Sequence, residues 1–131
     1  MYVTDQPGIL WAIDLATGDK TVFLDVSDRI VALGLFGPGT FDERGLLGVA
    51  FHPDYIDNGL LYTYTSEPAD GVADFSTMPE GEDPNHHAVI TEWQVPDPTD
   101  SGAVVDPDSD RVLLRVAEPQ FNHDGGAVNF G

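Results

Sequence analysis

The sequence predicts an all-β fold, and three observations predict it. Short apolar segments alternate with Gly- and Pro-rich turns along the whole chain. No segment carries a convincing helical period. Gly45-Leu46-Leu47-Gly48-Val49-Ala50-Phe51 is echoed by Gly125-Gly126-Ala127-Val128-Asn129-Phe130, each after a polar loop, with three strands between the echoes. Turn-rich strands alone leave sandwich, barrel and propeller open. Four strands per repeat, led by an apolar one, favour a propeller blade. The repeat is about 80 residues because its loops are long, whereas blades with tight loops need about 40–45.

The elements follow in order. Tyr2-Val3-Thr4 is short and β-prone, and Gln6-Pro7-Gly8 is a turn. Ile9 to Leu15 is a strand, with Ile9, Trp11, Ile13 and Leu15 on one face. Ala16-Thr17-Gly18-Asp19 turns the chain into a strand from Thr21 to Val26. Residues 27–44 read as loop. Leu46 to Phe51 is a continuous apolar run, as in a strand buried on both faces. His52-Pro53-Asp54-Tyr55 closes it, and Asp57-Asn58-Gly59 is a turn into a strand from Leu60 to Thr65. Residues 66–86 form a long polar loop. Ala88 to Val95 alternates, with Val89, Thr91, Trp93 and Val95 on one side. Arg111 to Val116 alternates again, and the last apolar stretch, Ala127 to Gly131, begins another strand. The expected organisation is one complete four-stranded blade plus parts of its two neighbours, with blade boundaries near 27–44 and 117–126. A propeller closes with roughly 4–8 blades, so the chain reads as a fragment of a larger domain, residues 1–131 forming part of it.

Composition narrows the partners. Asp and Glu total 23 against 5 Lys and Arg, a net charge of −18. A field of that sign repels phosphate backbones, which argues against nucleic acid. The acids are scattered, as on the solvated surface of a salt-adapted protein. No apolar run is long enough for a membrane span. No signal-peptide pattern is visible in residues 1–5. Cysteine is absent, so there is no disulfide framework and no thiolate metal site.

Three stretches together carry a family resemblance. They are Asp42-Glu43-Arg44-Gly45-Leu46-Leu47-Gly48-Val49-Ala50-Phe51-His52-Pro53-Asp54-Tyr55, continuing to Asn58-Gly59 and Leu61-Tyr62; Asp110-Arg111-Val112-Leu113-Leu114; and Phe121-Asn122-His123-Asp124-Gly125-Gly126-Ala127-Val128-Asn129-Phe130-Gly131. In order and spacing the chain resembles the N-terminal third of the glucose/sorbosone dehydrogenase family. That family includes soluble quinoprotein sugar dehydrogenases and the propeller of the Hedgehog-interacting type. The resemblance implies a six-bladed propeller, pyrroloquinoline quinone (PQQ) and calcium on its axis, and oxidation of the anomeric hydroxyl of an aldose to a lactone, with electrons passed to an acceptor. It also implies an extracellular or periplasmic location. Most residues that hold quinone and calcium in the family lie beyond position 131.

His123 matches the family's catalytic histidine. A base near neutral pKa would take the sugar proton while hydride passes to the quinone. Glu43 stands where the well-known glucose dehydrogenases carry a pocket glutamine, and Glu-Arg-Gly-Leu-Leu also occurs in the Hedgehog-interacting branch. Glu43 is therefore a pocket candidate, set against a local contact with Arg44. Asp124 is a second pocket candidate, set against a turn-forming role. His52 reads as structural. His86 and His87 fall in the long loop, where adjacent side chains point apart. Asp106, Asp108 and Asp110 resemble the start of a calcium loop, but Arg111 stands where such a loop needs Gly, and they read as a turn. The alternative to the enzyme is a non-catalytic binding propeller of the Hedgehog-interacting type.

Overall fold

The computed structural model describes residues 1–76 and 78–131. Thr77, inside the predicted 66–86 loop, lies outside the described residues. The fold is all-β and forms part of a propeller. Strands β1 (Tyr2–Asp5), β2 (Ile9–Ile13) and β3 (Lys20–Asp25) form an antiparallel sheet in that order. Strands β4 (Leu46–Phe51), β5 (Leu60–Glu67), β7 (His86–Gln94) and β8 (Arg111–Glu118) form an antiparallel meander. The two-residue β6 (Phe75–Ser76) adds to β8 in parallel. Among the described residues the helical pieces are a 3-10 turn at Ser27–Arg29 and one α-helical turn, α1, at Tyr55–Asn58.

The period-2 alternation of β5 and β7 decides what the meander buries. Leu61, Thr63 and Thr65 pair with Trp93, Thr91 and Val89 on one face, all buried. There Trp93 and Leu61 join Leu46, Val95 and Val105 in a core with Leu10, Phe23 and Leu24 of the first sheet and Val26 just after it. Trp93 Nε1 donates to Thr63 Oγ1 at 2.9 Å, so the indole is buried with its donor satisfied. Arg29 fastens the two sheets. Its guanidinium lies 5.3 Å from the Trp93 ring and bonds Glu67 at 3.1 Å and Asp110 at 3.0 Å.

The opposite face, with Tyr62 and Tyr64, is crossed by residues 123–130. Tyr64 OH donates to the Asp124 carbonyl at 2.7 Å, and the Phe130 ring packs on Tyr62 and His52 at 5.4 and 5.3 Å. Gly48 makes this crossing possible: a Cβ there would sit 1.9 Å from the Gly126 carbonyl oxygen.

Four expectations need correction. The buried residue of β2 is Leu10, on the face opposite Ile9, Trp11 and Ile13, while Leu15 is 76% exposed in the turn that follows the strand. The apolar run of β4 is an edge strand with Leu46 and Ala50 buried and the rest half-buried. Asp57-Asn58 lies in the α-helical turn, closed by Asn58 N–H to Asp54 O at 3.0 Å. Ala127 to Phe130 forms no strand, because it lies face-on to β4 and shares no hydrogen-bonded ladder with it.

Candidate functional site

Antiparallel pairing brings the start of β4, the end of β5, the start of β7 and the end of β8 to one end of the meander. The loops 31–45 and 119–126 meet there, and the candidate residues His123, Glu43 and Asp124 are all at this junction.

Its base is Arg44. The side chain donates to Asp42 Oδ1 at 2.9 Å, Asp42 Oδ2 at 2.7 Å, Asn85 Oδ1 at 3.1 Å and the Ala32 carbonyl at 3.2 Å. Asp42 is buried to 2% side-chain exposure and also accepts from the Gly34 amide at 2.9 Å. The Arg44 hydrogen bond holds the Asp42 carboxyl down at about 2. This pair ties the 31–45 loop to the start of β7.

Glu43 points the other way. Its Oε2 accepts the His123 backbone N–H at 2.7 Å, and its own N–H reaches the Phe121 carbonyl at 3.4 Å. Glu43 therefore clasps the second loop, and the salt bridge of Arg44 is with Asp42. His123 has φ +65°, the one left-handed non-glycine residue among those described. Histidine adopts that region less readily than glycine, and such strain persists only where the surroundings impose it. The clasp imposes it here, and the residue is left exposed.

Asp124 turns inward. Its Oδ1 lies 3.5 Å from His86 Nε2, and both side chains are almost completely buried. Burial, with Glu118 and Glu43 nearby, raises the Asp124 carboxyl to about 6. Burial, with Arg44 nearby, lowers His86 to about 4. Among the described residues Asp124 Oδ2 and His86 Nε2 have no hydrogen-bond partner, nor does Ser66 Oγ. Burial thus disfavours the charged form of both groups, drawing Asp124 toward the neutral acid and His86 toward the neutral imidazole.

The structure thus brings His123, Glu43 and Asp124 together, with the Asp124 carboxyl directed at His86. It corrects the placement of His86 and His87, which are the first residues of β7 and fully buried. His52 Nδ1 accepts from the Asp54 amide at 3.0 Å and sits 2.8 Å from Asn58 Nδ2, bracing the α-helical turn. Asp106 Oδ1 accepts from the Asp108 amide at 3.0 Å, a local turn.

Four of the chain's five basic side chains are engaged within the chain, that of Arg44 on Asp42. Lys20 lies over Trp11, Arg29 holds Glu67 and Asp110, and Arg111 holds Glu92. Among the described residues no three His, Cys, Asp or Glu are grouped to hold a metal ion. Nor is any helix there long and apolar enough to cross a membrane.

No family model matches the chain. Over 114 residues it is 35% identical to Hedgehog-interacting protein of Mus musculus and, to the same extent, of Homo sapiens. The chain is similar to part of Hedgehog-interacting protein. Each match covers 86% of this chain, and the chain spans 14% of the length of these curated relatives. Of the two branches named by the resemblance, these matches favour the Hedgehog-interacting one.

Proposed function

We propose that this chain is part of a non-catalytic binding propeller, six-bladed in its parent, whose loop junction around His123 faces a protein ligand. The similarity to Hedgehog-interacting protein carries this reading. The junction is consistent with it: Glu43 is engaged with backbone, and the Arg44 guanidinium is held by Asp42. An extracellular or periplasmic location accompanies the reading. The test is surface plasmon resonance of the full-length parent against a Hedgehog protein. Saturable binding that survives without added quinone or calcium is expected, and absence of binding overturns the proposal.

A second reading is favoured by one observation, the exposed and conformationally strained His123. In it the parent is an aldose dehydrogenase, His123 accepts the proton of the sugar hydroxyl, and residues outside this chain hold PQQ and calcium. Dye reduction with aldoses that His123→Ala abolishes would establish it.

A further inference from the structure

Two of the chain's seven phenylalanines, Phe41 and Phe121, meet beside the His123 clasp, and a third, Phe36, lies on the same loop as Phe41. Phe36 is 83% exposed and Phe41 60% exposed. Phe41 meets Phe121 edge-on at 6.4 Å, and the Phe121 carbonyl accepts the Glu43 amide. Single exposed apolar residues need no explanation, but an exposed aromatic group against a charged rim marks a contact surface.

The loop that carries Phe36 and Phe41 is held in shape. Thr40 Oγ1 accepts the Phe36 amide at 3.0 Å and donates to the Gly37 carbonyl at 2.7 Å. The Leu35 amide reaches the Phe41 carbonyl at 3.3 Å, and the Gly34 amide is anchored on Asp42 at 2.9 Å. Gly34 has φ +99°, and a Cβ there would lie 2.1 Å from the Gly37 oxygen. The loop backbone that carries the rings therefore has little conformational freedom left to lose on binding.

Charge selects the occupant. Glu43 is exposed next to the rings and the chain carries a net charge of −18. Exposed aromatic faces beside a carboxylate attract guanidinium and ammonium groups by cation–π and ionic contact. We propose that the knuckle formed by Phe36, Phe41 and Phe121, with Glu43 at its side, docks an Arg- or Lys-bearing segment of a protein partner. This rests on the binding reading above and names the chemistry its partner would present.

The test uses the full-length parent and a fluorescein-labelled peptide of alternating Arg and Gly. Anisotropy is followed in 1 M NaCl, where the Debye length is about 3 Å and only contact-range interactions survive. The parent is expected to bind, and Phe36→Ala/Phe41→Ala to weaken binding roughly 5-fold or more. Glu43→Gln should weaken it as well. Two controls at the opposite end of the sheets, Asp97→Asn/Asp100→Asn and Leu15→Ala, should leave affinity unchanged. Circular dichroism checks that each variant is folded. Absence of binding, equal sensitivity to the remote acids, or insensitivity to the double Phe variant overturns the proposal. Self-association that the double Phe variant abolishes, without peptide binding, assigns the knuckle to a second copy of the chain and also overturns it. Aldose turnover by the parent would defeat the binding reading separately, whatever the peptide does.

Discussion

Replacing Arg44 with Met keeps most of the side-chain stem and removes the guanidinium. Four side-chain hydrogen bonds disappear, two of them to Asp42. Asp42 stays buried at 2% side-chain exposure, with only backbone amides of Gly34 and residue 44 still donating to it. Removing one partner of a buried pair costs about 3–5 kcal/mol. The carboxyl gives an independent figure. Asp42 is held from 3.8 to about 2, chiefly by Arg44, which at about 1.36 kcal/mol per pH unit corresponds to roughly 2–3 kcal/mol. The expected loss is therefore about 3 kcal/mol, a large part of the roughly 5–15 kcal/mol of a typical domain. Urea unfolding at pH 7 measures it. Because the folded-state pKa is depressed, the contribution is present above 3.8 and lost as pH falls toward 2. The gap between wild type and variant should persist at pH 5 and close in stronger acid. A loss under about 1 kcal/mol, or a gap that does not close, refutes the central role of this pair.

Three other outcomes follow from the same geometry. Gly48→Ala places a methyl group against the Gly126 oxygen and should cost about 1–3 kcal/mol by overpacking; hydrogen exchange should show residues 123–130 losing protection while β5 and β7 keep theirs. His123→Gly relieves a left-handed φ and should raise the melting temperature, by up to about 1 kcal/mol in stability; a lower melting temperature would contradict the strain. For Asp124 and His86 the signs oppose: the raised Asp124 pKa contributes stability that is lost as pH rises through about 6, and the lowered His86 pKa costs stability as pH falls from 6.5 toward 4. The pair should leave stability nearly level between pH 4 and 6, and Asp124→Asn should expose an acid-side loss, relative to wild type, beginning near 6 in pH-dependent melts.

The main strands of this fold were written in local pattern. The alternation of Val89, Thr91, Trp93 and Val95 predicts the buried face of β7, and these four residues are buried. The same alternation runs back through His87, a signal that would have placed both histidines in the strand had their polarity not argued for loop. The face of β2 was illegible for a different reason. Apolar residues lie on both of its faces, Leu10 on one and Ile9, Trp11 and Ile13 on the other, so alternation alone does not say which face is covered. β6 is two residues long, below any periodic signal. At the site, His123 stood out through its Asn-His-Asp-Gly-Gly setting. The inward turn of Asp124 and the choice of Asp42 over Glu43 by Arg44 depend on contacts 38 or more residues apart along the chain, at His86 and Asn85, and no short-range pattern encodes them.

The most direct measurement is redox turnover by the full-length parent. The protein is supplied with PQQ, calcium and a panel of aldoses, and reduction of an acceptor dye is followed. A binding propeller predicts no aldose-dependent reduction, and no difference between wild type and His123→Ala. Sugar-dependent reduction by wild type that disappears in His123→Ala would contradict it.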